Sequence, residues 1–360
     1  MAAGAVTGID LSPAAALAAF TESVARAAGQ AVHRTHATEL RLQVGDVPVR
    51  LRVAGELLAA RLLPALAPLA ARATDAPVLD ITAFDSAASG VQLPAPPWPP
   101  DAYRPGDRIE GFGGDGHDVA YALDPGVLSL ADAHGGRAFF WTRDAASLPR
   151  WETGAPLRTV LRLALRPLGL QLVHGAVVGD GRGGVLLAGV GGSGKSTTAL
   201  ACALAGIGVL GDDYCVLELA GTGSPPRAHA LYAVGKAGPA SLRMLPGLAA
   251  AIVPGGPTPE GKELIDINVA RPGALRHSAP LTAIVLPRVA AATGEPVRIT
   301  AAEALVAIAP TTLLQLPGSG AADLRAMASL ARGVPAYRLD VGPVPDEVVA
   351  AVRGILERHP

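Results

Sequence analysis

Apolar and polar positions change their period several times along the chain, and each change marks an element. Residues 12 to 30 carry a helical repeat, with Ser12 placed to cap the helix and Pro13 in its first turn. From residue 40 to residue 53 the period drops to two on both sides of Gly45-Asp46, which predicts a hairpin of half-buried strands. A helix is expected over residues 56 to 72 and a strand over 77 to 84. Residues 94 to 106 are too rich in proline for a helix or a central strand and predict a loop. Strands at 118 to 123, 127 to 130 and 137 to 141 complete an α+β domain over residues 1 to 150, with a mainly antiparallel sheet.

After Gly154 the pattern changes. A helix over 156 to 168 precedes a strand at 171 to 178, a glycine-rich turn, a strand at 184 to 188, a helix starting at Lys195 and a strand at 207 to 210. This order predicts an α/β domain with a crossover unit over residues 151 to 360. No repeat of 20 to 50 residues is visible.

Composition narrows the function classes. At 360 residues, half hydrophobic and 17% charged, the chain has enough apolar material for two domains with a sizeable core. Aromatic residues make up 4%, too few for a stacking platform on single-stranded nucleic acid. A net charge of −1 and a pI near 6.7 give no general attraction for nucleic acid or anionic lipid, so a charged ligand needs a local site. Cys202 and Cys215 lack zinc-site spacing and read as small core residues. Neither a signal peptide nor an 18-residue apolar span is visible, which makes the reducing cytoplasm the expected location.

Lysine usage is more telling than net charge. Of 30 basic residues only Lys195, Lys236 and Lys262 are lysines, so a lysine here is a flag, although the plain reading of Lys236 and Lys262 is ordinary surface solvation. Gly111, Gly113 and Gly116 match the GxGxxG of dinucleotide sites. An acidic, proline-rich stretch precedes them and a strand-like HDVAYAL follows, which is the wrong context for that fingerprint.

The strongest signal is GVGGSGKST. Gly189, Gly194, Lys195 and Ser196 satisfy the GxxxxGK[ST] spacing, between the apolar VLLA and the helical TTALACALA. Glycines let consecutive N–H groups turn toward phosphates, the lysine bridges the outer phosphates, the serine hydroxyl ligates Mg²⁺, and the helix N-terminus adds partial positive charge. Gly189, Gly191, Gly192, Ser193, Gly194, Lys195, Ser196 and Thr197 form the expected nucleotide-binding set. Asp212 and Asp213 follow at the end of the next strand; as parallel neighbours the two strands would bring them beside the loop, one carboxylate to hold Mg²⁺ and the other to accept a hydroxyl proton. His174 stands in the apolar strand before the loop. The chain has a single asparagine, Asn268, and so no NKxD guanine motif; HRD, DFG and LSGGQ elements are also missing.

Taken together, His174-Gly175, the short turn, GVGGSGKST and LGDDY resemble the catalytic domain of HPr kinase/phosphorylase and its relatives, over about residues 170 to 345. The resemblance implies a P-loop α/β domain, a mixed sheet with flanking helices related to the nucleotide domain of phosphoenolpyruvate carboxykinase. It also implies ATP- and Mg²⁺-dependent phosphorylation of a serine in a protein substrate. On that resemblance Gly189, Gly191, Gly194, Lys195 and Ser196 cradle the phosphates and His174 lies near them. Asp212 and Asp213 supply base and metal-binding carboxylates, with Ser196 and Asp212 at the metal and Lys195 catalytic. Lys262, Arg271 and Arg276 are candidates to approach the transferred phosphate. Hexamers occur in that family, which implies a homo-oligomer. The family's HPr-docking signature is missing and residues 1 to 150 do not match its usual N-terminal domain, so the resemblance points away from HPr as the acceptor. It is nearer to the HPr-kinase-like proteins of peptide-tailoring pathways, including lasso-peptide kinases, where an N-terminal sheet could recruit the peptide as an added edge strand. Small-molecule kinase, phosphorylase and nucleotide-gated regulatory readings share the same loop.

Overall fold

The computed structural model describes residues 12–70, 76–219, 225–313 and 320–359. Ser12 caps the first helix, Pro13–Arg34, through a 3.3 Å bond from the Ala15 N–H. Eight strands follow: β1 (Ala37–Val44), β2 (Val47–Ala54), β3 (Leu79–Asp85), β4 (Tyr103–Arg104), β5 (Arg108–Ile109), β6 (His117–Ala122), β7 (Val127–Asp132) and β8 (Arg137–Thr142). They form one sheet in the order β1-β2-β3-β8-β7-β6-β5-β4. The β1–β2 hairpin closes at Gly45-Asp46 with Val44 opposite Val47. The sheet is not antiparallel at its centre, where β3 runs parallel to both β2 and β8. The helix expected to reach residue 72 stops at Leu62: Leu63 keeps helical backbone, but Pro64 has no N–H to continue the ladder; residues 71 and 72 of that expected span lie outside the described residues. A strand, β6, follows Gly116, so the GxGxxG match opens no helix.

The remaining strands are β9 (Leu170–His174), β10 (Ala176–Gly179), β11 (Gly184–Leu187), β12 (Val209–Gly211), β13 (Tyr214–Glu218), β14 (Arg227–His229), β15 (Val234–Ala237), β16 (Glu263–Asp266), β17 (Ser278–Val289), β18 (Val297–Ile299) and β19 (Ala336–Val341). Nine of them make a mixed sheet in which the long β17 is the hinge: its start pairs antiparallel with β14, and its later residues pair parallel with β11 and β19. β15 and β16 form a separate ribbon. The strand expected over 171 to 178 is broken at Gly175, where a Cβ would stand 2.9 Å from the Leu187 carbonyl oxygen. β9 therefore pairs with β13 while β10 pairs with β11 and β12. β12 and β11 are not neighbours as the sequence suggested. They run in the same direction with β10 between them, so their C-terminal ends share one sheet edge about 10 Å apart.

Three apolar clusters hold these layers. The first helix covers one face of the first sheet, burying Phe20, Val24 and Trp98 against Phe84, Leu128 and Trp141. The opposite face, with Leu51, Ile81 and Phe140, joins a continuous core that runs through the helix Arg158–Leu165 to Leu172 and Val216 of the second sheet. Beyond that sheet, the helices Lys195–Leu204 and Pro345–Arg358 pack on β10, β11 and β19. Among the described residues no helix is long and apolar enough to cross a membrane. Cys202 and Cys215 are both fully buried, and burial pushes their thiols up to about 12.

Candidate active site

The loop after β11 turns on glycines with left-handed backbone, Gly189 at φ 127°, Gly192 at 82° and Gly194 at 104°. Such backbone lets the chain curl tightly and enter the helix Lys195–Leu204 directly from Gly194. A Cβ at Gly194 would meet Val341 at 3.0 Å, so that position is restricted by packing as well as by φ. Lys195 is buried, and its Nζ donates to the carbonyls of Gly189 at 2.7 Å and Val190 at 3.0 Å. Burial lowers its pKa, with Asp212 and Asp213 opposing.

On the same edge of the sheet the chain turns at Asp212-Asp213, between β12 and β13, with Asp213 in left-handed backbone at φ 67°. β9 ends beside it at His174, and the Gly175 N–H donates to the Asp213 carbonyl at 3.0 Å. Because the backbone turns there, the two carboxylates do not simply alternate across a strand. Asp213 faces a cleft of about 400 Å³ that also exposes His174, Gly191, Gly192, Lys195 and Ser196. Its Oδ1 lies 3.1 Å from His174 Nε2 and its Oδ2 2.6 Å from Lys236 Nζ. Burial alone would raise the Asp213 pKa, but the His174 bond and the Lys236 ammonium outweigh it and hold the carboxyl far below the ordinary range. Burial likewise pulls Lys236 down, and Asp213 reverses the shift to a net rise.

Asp212 stands deeper, 1% exposed. Its Oδ2 accepts from the Lys236 N–H at 2.8 Å, while its Oδ1 is buried with no hydrogen-bond partner. Burial first, then repulsion from Asp213, raise its pKa; the Lys236 amide and the nearby Ser196 hydroxyl oppose this without cancelling it. An orphaned carboxylate oxygen beside a serine hydroxyl fits one side of a Mg²⁺ shell, and Mg²⁺ characteristically takes one or two carboxylates and completes its octahedron with water and substrate phosphates. Among the described residues no group of three or more His, Cys, Asp or Glu side chains is placed to hold a metal by itself.

Lys262 lines the same cleft, on a turn closed by the Thr258 N–H to the Lys262 carbonyl at 2.7 Å. Lys236, which the sequence reading left on the surface, has a side chain only 14% exposed and belongs to the cleft. Its rarity in the composition was the signal that pointed to it. Thr197 Oγ1 and Ser241 Oγ bond each other at 2.6 Å, and Ser193 Oγ is buried without a partner. The structure separates two expected residues from this group. Arg271 lies against Gly206 and Arg276 against Gly208, past the C-terminal end of a ten-residue helix and so about 15 Å from the loop. Arg276 Nη1 is committed to the Leu275 carbonyl at 3.2 Å and to that of Gly273. Both arginines sit where the chain leaves that helix rather than where it enters.

A buried support stands behind His174. The Tyr214 ring packs 5.3 Å from the imidazole, and its hydroxyl accepts from Arg158 Nη1 at 3.0 Å.

No protein-family model matches the chain, and no curated protein does. Among solved structures, the HPr(Ser) kinase/phosphatase from Coxiella burnetii is similar over 52% of this chain and 97% of its own, at 14% identity and a TM-score of 0.31. A likeness that distant carries no weight for function, which rests on the residues themselves.

Proposed function

We propose that the chain is an ATP- and Mg²⁺-dependent kinase that transfers the γ-phosphoryl group to a serine hydroxyl of a peptide or small protein. The acceptor would belong to a peptide-tailoring pathway. The observation that carries this reading is convergence. All three lysines of the chain, one on the glycine-turned loop, line a single cleft with His174 and Asp213.

In this reading the loop N–H groups and the start of the helix Lys195–Leu204 bind the phosphates, and Lys195 exchanges its two carbonyl partners for phosphate oxygens. Ser196 and Asp212 would hold Mg²⁺, which supplies neutralisation of phosphate charge. Asp213 accepts the hydrogen bond of the incoming hydroxyl and takes its proton as the new O–P bond forms and the bond to the β-phosphate oxygen breaks, releasing ADP. A carboxylate held this far down is a weak base. That suffices where the transition state is loose and positioning dominates. Lys236 and Lys262 offset charge on the transferred group. The first sheet offers the acceptor a strand edge at β1, which pairs with β2 on one side and makes a single bridge, Leu42 to Ala70, on the other.

The test is transfer from γ-labelled ATP with Mg²⁺ into a lysate of the source cells, peptides included, by the full chain and by Lys195→Ala. A labelled species formed by the wild type alone is the expected result, and it delivers the acceptor for sequencing. ATP binding that the variant loses, with no labelled species in either reaction, would overturn the peptide-kinase reading in favour of a small-molecule acceptor or a nucleotide-gated switch.

A further inference from the structure

The cleft has an uncharged wall as well as a charged one. Beyond His174, Asp213 and the three lysines, the lining toward the C-terminal helix is Val289, Ala290, Val341, Pro343, Pro345 and Val348. Val341 and Val289 adjoin the entry to the phosphate-loop helix, at 3.0 and 3.6 Å from where a Gly194 Cβ would be. This wall therefore begins where the phosphates end. A protein tells adenine from guanine by donors and acceptors placed against the purine edge, and no side chain of this wall carries one. Pro343 and Pro345 have no N–H. The Gly342 N–H is committed to Thr293 Oγ1 at 3.1 Å, and the Ala290 N–H to the Val341 carbonyl at 3.0 Å. On the other flank of the helix the hydroxyls of Thr197 and Ser241 share a hydrogen bond, beside the apolar Ala240 and Met244. Among the described residues no asparagine, glutamine, arginine or glutamate lines the cleft.

From this we infer that the nucleobase is gripped by apolar contact alone, so that the protein takes purine nucleoside triphosphates as a class and does not discriminate ATP from GTP. The inference rests on the reading of the cleft as a nucleotide site. Its physical basis is the asymmetry of recognition: an apolar pocket separates ligands of similar shape weakly, whereas a pocket with committed polar groups rejects the partner that leaves them unpaired.

The experiment is calorimetric titration of the full chain with ATP, GTP and inorganic triphosphate, each with Mg²⁺, repeated on Val289→Asn. Val289 is 65% exposed, so the substitution spares the core. The two purine nucleotides are expected to bind within about fivefold of each other, where a single bidentate edge contact would separate them by roughly tenfold or more. Val289→Asn is expected to weaken both by the same factor, about three- to tenfold, and to leave inorganic triphosphate unchanged. A preference beyond about fivefold for either purine overturns the inference while leaving nucleotide binding in place. Equal weakening of inorganic triphosphate by the variant overturns it too, because Val289 would then act on the phosphate end. Failure of all three ligands to bind removes the nucleotide reading and the inference with it.

Discussion

At the scale of single residues the site is built on a division between adjacent carboxylates. Asp212 and Asp213 are pushed in opposite directions because one is buried with an orphaned oxygen and the other faces two donors, His174 and Lys236. Neighbouring acids with such different surroundings are suited to different tasks. Substituting Asp213→Asn keeps the side chain's shape and its place beside His174 but removes the proton acceptor. Single-turnover transfer is expected to fall by about 10²- to 10⁴-fold, the usual contribution of a positioned general base, with ATP affinity within a few-fold of wild type. Transfer within tenfold of wild type would show that Asp213 has no part in the chemistry. The loop, the Asp pair and His174 were legible as residues because their spacing is local. Lys236 was flagged only by the rarity of lysine, since it reaches Asp213 from a ribbon formed by β15 and β16, and nothing local in VGKAG records that pairing. The placing of Arg271 and Arg276 escapes for the same reason: the segment between them pairs with the start of β12, the Arg276 N–H donating to the Val209 carbonyl at 2.8 Å, and no periodicity encodes that.

At the scale of elements, strand ends are tied by charge as well as by ladders. Asp132 at the end of β7 accepts from Arg137 Nη2 at 2.6 Å and Nε at 3.1 Å and from the Gly135 N–H at 2.9 Å, while Arg137 also reaches Glu22 on the first helix at 2.6 Å. Burial would raise the Asp132 pKa, yet these donors outweigh it and leave it lowered. A carboxylate whose folded pKa lies below its unfolded value of about 3.9 stabilises the fold above that pH and ceases to do so as the pH falls through the folded value. Arg137→Gln removes the guanidinium, so its urea midpoint is expected to fall at pH 6 and to fall by less near pH 3, below the unfolded value of about 3.9. An equal deficit at both pH values would mean that the arginine acts through packing alone. Elements of this kind were largely visible in the sequence, including the β1–β2 hairpin and the helix at Lys195. What escaped were breaks and pairings set by tertiary contact. Gly175 splits one apolar run into β9 and β10 because the Leu187 carbonyl leaves no room for a side chain. β3 lies parallel between β2 and β8 because the connections around it cross the sheet.

At the scale of the whole molecule the two sheets share one apolar core, and a chain of charges crosses the same seam. Arg162 and Asp323, each 1% exposed, pair at 3.2 Å between the helix Arg158–Leu165 and the helix Ala321–Gly333. Arg166 continues the chain to Asp118 on β6 of the first sheet at 3.3 Å. Removing one member of a fully buried pair costs about 3 to 5 kcal/mol, whereas an exposed pair contributes about 1 kcal/mol or less. Asp323→Ala is therefore expected to lower the unfolding free energy by several times the change seen on Asp118→Ala. Two intrinsic probes then ask whether the sheets unfold together. All three tryptophans, Trp98, Trp141 and Trp151, lie within the first 151 residues, and both cysteines, Cys202 and Cys215, are buried in the second sheet and its helix. Because residues from both sheets fill one cluster, tryptophan fluorescence and thiol labelling are expected to report the same urea midpoint in the wild type. Asp323→Ala should move both midpoints down together. Labelling of the cysteines at clearly lower urea than the fluorescence change would show that the second sheet opens alone, so that residues 1–150 form an independently stable domain despite the shared core.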